Sequence, residues 1–346
     1  HHLEELGKPE RVELVAGRYG AQRRGARARG NTADTALITA LFEDVGYPKY
    51  PKRDALTAAL KDKAASAPAG TWLYFTNFDN LLQGGDLSAA ELDAIGLEHL
   101  QTLESRRAGP WNVMFNPLRA LRPPRISGMK FEGLLRPFDP TGFHFNKPFL
   151  AKELLWEGSL AGKPARLLYN KFPFARLHGL LVPEPLRELP QTLTPELHGW
   201  AWHLCAHAGM RGLCLGYNSH GAGASVNHMH FQSFVQADPL PVQDPRFAHN
   251  GGTQPYPLPV KRFTEPADAW LELERLHQQN TPYNLIYNRN CLHIVARVPQ
   301  DSGQLSAQSR GYGWSEMAGA ITLFSREAYK GLNAAEFEAL LARFTP

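Results

Sequence analysis

A chain of 346 residues, 43% of them apolar and 20% charged, can bury a substantial core and is long enough for two domains or one duplicated unit. Its formal net charge of +4 is too small and too scattered to mark a nucleic-acid binder, although it suits a polyanionic small substrate. No apolar run approaches membrane-spanning length, the start lacks a signal-peptide pattern, and three cysteines without CxxC spacing argue against a disulfide framework, so a reducing, cytoplasmic setting is expected.

Residues 11–30 are rich in Arg and Gly and carry no periodic signal. Helix-period spacing predicts helices over 32–45 and 52–65, and Trp72–Phe75 reads as a short strand. Ser88 followed by Glu91 is a capping-box signature for a helix running to about Glu104. A strand at 111–115 ends in Asn116-Pro117-Leu118-Arg119, with Arg122 and Arg125 beyond. Three arginines this close could grip a phosphate bidentately, or form a solvated basic loop. Strands are expected at 166–168 and 180–182, and a helix at 194–208 capped by Thr194 with Pro195 in its first position. A strand at 213–217 leads into a glycine-rich loop, and a strand at 226–235 carries two histidines. The proline-rich stretch 238–259 reads as an extended linker, followed by a helix over 267–280. A weak internal repeat matches 168–171 with 286–289 and 178–184 with 293–300, while 314–324 suggests a last strand and 333–344 a closing helix.

Chemistry concentrates between Gly216 and Gln232. His228 and His230, one residue apart, share a face of an extended chain with Gln232, while Met229 and Phe231 point the other way. Asn218, Ser219, Gly221, Gly223, Ser225 and Asn227 form a loop whose backbone N–H groups could cradle an anion. A zinc site would need further ligands such as His144, His178 or Asp139, and none has a diagnostic spacing. An imidazole is a competent nucleophile at neutral pH, and attack on the α-phosphorus of a nucleotide would give a phosphoramidate that a second acceptor discharges. Gln232 could bond a non-bridging phosphate oxygen, while Ser225 and backbone N–H groups stabilise developing charge.

The run Asn227-His228-Met229-His230-Phe231-Gln232 resembles the His-x-His-x-Gln signature of the transferase branch of the histidine-triad (HIT) superfamily, and in particular the GDP-hexose phosphorylases. The resemblance extends to Gly216-Tyr217-Asn218-Ser219, Arg136-Pro137-Phe138-Asp139, Phe143-His144-Phe145-Asn146-Lys147, His178-Gly179-Leu180-Leu181-Val182-Pro183, Leu189-Pro190-Gln191, Pro282-Tyr283-Asn284-Leu285-Ile286 and Trp314-Ser315-Glu316-Met317-Ala318-Gly319, in order over about 110–346. It implies an α+β, HIT-like fold of two related antiparallel-sheet halves with packed helices, similar to galactose-1-phosphate uridylyltransferase. The expected division is an N-terminal helical or irregular region (1–109), a catalytic half (110–245) and a C-terminal half lacking the histidine motif (246–346).

The same resemblance makes His230 the nucleophile that takes up GMP, Gln232 its phosphate contact and His228 its support. Hexose 1-phosphate would leave first and inorganic phosphate would then release GDP, a ping-pong sequence. Lys171, Asn116, Arg119, Arg125, Lys147 and His178 join the loop residues as candidates for holding substrate phosphates. The cysteine pair with which uridylyltransferases hold zinc is missing, so neither metal nor cofactor is expected. The expected partners are a nucleotide sugar and inorganic phosphate, with neither nucleic acid nor membrane, and a homodimer is compatible with them. A dinucleotide polyphosphate phosphorylase, a uridylyltransferase-like exchange and a nucleotide-binding protein without catalysis are the alternatives.

Overall fold

The computed structural model describes residues 13–16, 72–75, 104–115, 130–170, 174–207, 212–236, 238–289, 291–306 and 309–346. The helices expected over 32–45 and 52–65 lie outside these residues, as do Asn116, Arg119, Arg122, Arg125, Lys171 and the helix expected from 87 to about 104 except Glu104 itself, which is in a strand. Strands β1 (Glu13–Ala16) and β2 (Trp72–Phe75) pair in parallel.

The frame is an eight-stranded antiparallel sheet. Its strands are β5 (Leu154–Leu160), β6 (Lys163–Tyr169), β7 (Arg176–Pro183), β8 (Leu213–Asn218), β9 (Phe231–Val235), β10 (Val260–Phe263), β11 (Tyr283–Tyr287) and β12 (Leu292–Ala296). They lie in the order β10-β12-β11-β8-β9-β7-β6-β5. One face is covered by helices α1 (Pro195–His207) and α2 (Pro266–Gln278). In α1 the Thr194 hydroxyl accepts the Leu197 N–H at 3.3 Å, Pro195 needs no donor at the first position, and Leu197, Trp200, Ala201, Leu204 and Cys205 form the buried stripe.

The opposite face packs on a second, three-stranded sheet of β3 (Glu104–Ala108), β4 (Trp111–Phe115) and β13 (Ala320–Leu323), with helices α3 (Trp314–Met317), α4 (Arg326–Gly331) and α5 (Ala334–Ala342). Strand β8, buried along its whole length, feeds both cores by alternation: Leu215 and Tyr217 face the α1/α2 side, Cys214 and Gly216 the other.

Three local expectations change. The proline-rich 238–259 stretch is packed rather than extended, because Val242, Phe247, Tyr256 and Leu258 bury against Trp111, whose ring stacks on Phe247 at 5.7 Å. Trp314 opens a short helix, and only 320–323 is strand. The internal match of 168–171 and 178–184 to 286–289 and 293–300 sets β6 and β7 against β11 and β12. Connectivity relates different strands: β7-α1-β8-β9 is repeated as β10-α2-β11-β12, in mirrored sheet order. Apolar hairpins share composition whatever their place in a sheet, so local similarity could not choose between them.

Gly319, at φ +86°, turns the chain from α3 into β13, and a Cβ there would lie 2.6 Å from Pro241 and 2.8 Å from the Trp111 ring. Left-handed backbone and overpacking act together at this position. Gly319→Ala is therefore expected to destabilise the fold by roughly 2 kcal/mol or more, read as a lowered urea midpoint at unchanged slope.

Candidate active site

His228 and His230 do not lie on a strand. The chain from Val226 to His230 is irregular and β9 begins at Phe231, one residue after the second histidine. The expected alternation nevertheless persists: Met229 and Phe231 are fully buried in the α1/α2 core, while both imidazoles pack against the Phe145 ring on the other side. Side chains do the work that a sheet ladder would have done. The carboxamide of Gln191, itself buried, accepts the His230 N–H at 2.8 Å and donates to the carbonyls of His230 (3.1 Å) and Asn218 (3.0 Å). The Met229 N–H reaches the Leu189 carbonyl at 2.8 Å.

His230 Nδ1 lies 2.8 Å from the His228 carbonyl. A carbonyl only accepts, so Nδ1 carries the proton and the lone pair of the neutral ring is on Nε2. Among the described residues Nε2 has no hydrogen-bond partner. Burial holds the His230 pKa down to about 4, with the His228 carbonyl opposing the shift and nearby His220 reinforcing it. His228 accepts the Phe145 N–H on Nδ1 at 3.1 Å, which puts its proton on Nε2, where no hydrogen bond of ordinary geometry closes. Its pKa is also held to about 4, first by burial and then by His230 and His144. At neutral pH the site thus presents two uncharged imidazoles.

Gln232, half-buried, is ordered from behind. Its Oε1 accepts the Trp314 indole N–H at 2.9 Å and lies 2.9 Å from His178 Nε2. His178 is buried, and its Nδ1 accepts the Phe174 N–H at 3.4 Å.

Part of the glycine-rich loop expected to cradle an anion bonds within the protein. The N–H groups of Ser219, Ala222 and Gly223 go to the Tyr283 carbonyl (3.1 Å), the Ser219 carbonyl (3.0 Å) and Gln300 Oε1 (3.1 Å). Asn218 Oδ1 accepts from the Trp314 N–H and from Asn284, both at 2.8 Å, and Ser219 Oγ accepts the Tyr283 N–H at 2.9 Å. Gly221 is buried, and its carbonyl accepts the Gln300 N–H. Asn227 Oδ1 meets the Gln191 N–H and His220 Nε2, while its amide donates to the Pro137 carbonyl. These groups fasten β8 to β11 and to the 312–314 segment, and they do so because a buried polar group must find a partner. Ser225 is half-exposed at the loop's end. Lys147 donates to the Pro140 carbonyl at 3.1 Å rather than into the histidine pair.

Several residues beyond the expected transfer set surround the pair. Gln191 and Trp314 belong to the sequence blocks quoted above but carry no motif of their own. Phe138 and His144 pack against His228, and Arg166 binds Asn146 and Glu157 nearby. Among the described residues no group of three or more His, Cys, Asp or Glu is arranged to hold a metal ion.

Residues 111–234, which carry this histidine pair, match a family model described as GDPGP1-like, N-terminal domain. The chain resembles the GDP-hexose phosphorylases. It is 37% identical over 133 residues to GDP-D-glucose phosphorylase 1 of Homo sapiens, covering 35% of this chain and 32% of that protein. It is 32% identical over 136 residues to GDP-L-galactose phosphorylase 1 of Arabidopsis thaliana, covering 34% of this chain and 30% of that protein. The chain thus spans about a third of the length of the curated relatives it matches. A crystal structure of yeast Ap4A phosphorylase in complex with AMP superposes with a TM-score of 0.50 at 18% identity, over 84% of this chain and 96% of that one. The chain accordingly shares the α+β fold of that structure.

The depressed imidazoles set a pH dependence. Unfolded histidine takes its proton near pH 6.5, whereas His228 and His230 take theirs only near pH 4 in the folded chain, so acidification across that window favours unfolding. Stability should be fully present above about pH 6.5 and fall towards pH 4, by at most about 3 kcal/mol per imidazole. Urea midpoints measured from pH 7.5 to 4.5 check this, and His228→Asn should flatten the slope.

Proposed function

We propose that this chain is a nucleotidyl-transferring phosphorylase that cleaves a GDP-hexose with inorganic phosphate, giving GDP and hexose 1-phosphate. The observation that carries it is the tautomer of His230, a neutral ring whose Nδ1–H is tied to the His228 carbonyl and whose Nε2 lone pair is left for an electrophile. The names of the relatives matched over about a third of their length supply the substrate class.

In the first step His230 Nε2 forms a bond to the α-phosphorus while the bond from that phosphorus to the bridging oxygen breaks, and hexose 1-phosphate departs with the bonding pair. In the second, an oxygen of inorganic phosphate attacks the same phosphorus, the P–N bond breaks, and GDP leaves with His230 neutral again. Nδ1 keeps its proton throughout. The partial positive charge of the nucleotidyl-imidazole is met by the His228 carbonyl, which is already in place and needs no reorganisation. The Gln232 amide nitrogen, with Oε1 held by Trp314 and His178, is aimed at a non-bridging oxygen. His228 supports the nucleophile through its backbone carbonyl more than through its ring. Ser225 completes the inner set, whereas Asn218, Ser219, Gly221, Gly223 and Asn227 serve as its frame. In the same reading 110–245 supplies the chemistry and 246–346 a related half of one continuous sheet. Three buried free cysteines suit a cytoplasmic enzyme.

A panel of GDP-glucose, GDP-galactose, UDP-glucose and diadenosine tetraphosphate, each incubated with phosphate and scored for both products, tests the substrate class. Turnover should be confined to the GDP-hexoses, and a preference for either other nucleotide would move the function to the corresponding alternative. His230→Asn should lose at least about four orders of magnitude in kcat with an unchanged unfolding midpoint near neutral pH, and it should form no acid-labile nucleotidyl-protein from labelled substrate. Full activity in that variant would sink the covalent route.

A further inference from the structure

The family-like segment ends at 234, yet Gln232 takes its orientation from a side chain eighty residues further on. Trp314 lies flat across the β8/β9 pair. Its ring stacks on Phe234 at 4.4 Å and 17°, and it sits so close over Gly216, the register partner of Gln232, that a Cβ there would meet it at 2.5 Å. The absence of a side chain at Gly216 is what lets the indole descend onto the strand and bring Nε1 within 2.9 Å of Gln232 Oε1. The backbone N–H of Trp314 is fastened in turn to Asn218 Oδ1 at 2.8 Å.

The chemistry of these donors leaves one arrangement. An indole N–H can only donate, so the atom of Gln232 that faces it must be the carbonyl oxygen and not the amide nitrogen. His178 Nε2, 2.9 Å from that same oxygen, must then carry its ring proton, which agrees with Nδ1 accepting from the Phe174 N–H. Asn170 Nδ2 also lies 3.1 Å from that ring nitrogen, and with the ring proton there the two N–H groups cannot bond each other, so this amide adds nothing to the fixation. With Oε1 held by two donors the Gln232 amide nitrogen has no partner among the described residues, and both its hydrogens are available. A glutamine without such a brace would turn its amide by half a rotation at little cost, and the oxygen would then face a phosphate and repel it.

We propose that Trp314 and His178 are positioning residues that lock the Gln232 amide with its nitrogen toward the transferred phosphate, so that the C-terminal segment completes the site. The proposal rests on the phosphorylase reading for its kinetic arm only. Trp314→Phe keeps a ring to stack on Phe234 and removes the N–H. It should slow formation of the nucleotidyl-enzyme from GDP-glucose by roughly tenfold or more with little change in KM, and should cost nothing further once Gln232→Ala is present. His178→Phe should show the same coupling, and His178→Gln, which returns an amide donor near the lost Nε2, should recover most of that loss. A Trp314→Phe effect that persists unchanged in the Gln232→Ala background, or no effect at all, overturns the proposal.

A second measurement is independent of substrate. With the protein labelled by 15N-glutamine, the Gln232 side-chain amide, assigned by its disappearance in Gln232→Ala, should shift and broaden in Trp314→Phe as the flipped orientation becomes populated. An unaltered signal overturns the positioning role. If the wild-type protein forms no nucleotidyl-enzyme with any nucleotide sugar the phosphorylase reading fails, while this spectrum still decides whether Trp314 holds Gln232.

Discussion

The Gln191 carboxamide is the interaction on which the site depends. Between Val226 and His230 the chain has no strand partner, and an irregular backbone leading into a buried site needs other acceptors and donors. One side chain supplies them, gripping the N–H and the carbonyl of His230 at once and tying both to the end of β8 through the Asn218 carbonyl. Because Gln191 is buried and fully engaged, removing it would orphan three backbone groups together, which is why a single amide can hold the position of a nucleophile.

Burial and hydrogen bonding then cooperate in the electrostatics. Two imidazoles withdrawn from water would each cost free energy if charged, so both stay neutral well below the usual histidine range. Neutrality alone would leave the tautomer open. The His228 carbonyl settles it for His230 and the Phe145 N–H settles it the opposite way for His228, so the two rings differ in which nitrogen carries a lone pair. The donor-only indole of Trp314 performs the same service for the Gln232 amide. Proton placement in this site is thus dictated by fixed partners rather than by the titrating groups themselves.

The glycine-rich loop shows how one pattern of small residues can serve two ends. Small residues between a strand and a histidine pair suit an anion cradle, but the same small residues also suit close packing of the backbone against neighbouring elements. Here Tyr283, Gln300 and the 312–314 segment occupy that space, taking the N–H groups of Ser219 and Gly223 and the side chains of Asn218 and Ser219. None of those neighbours is close in sequence, so the local pattern could not distinguish the two outcomes.

The sequence by itself determined what is local. Alternation from His228 to Gln232 placed imidazoles and apolar side chains on opposite sides even where no strand formed, since extended backbone of any kind alternates. Thr194-Pro195 marked the start of α1, and the spacing of its apolar residues set the buried stripe, because capping and helical period act within a few residues. Tertiary structure alone decided the sheet order, which relates β12 to β9 and not to β7, and it decided which amide or indole meets which ring. Gln191 reaches His230 across 39 positions and Trp314 reaches Gln232 across 82, and such contacts depend on how the layers close on one another. Packing at that range is a property of the whole chain, and no stretch of residues read alone contains it.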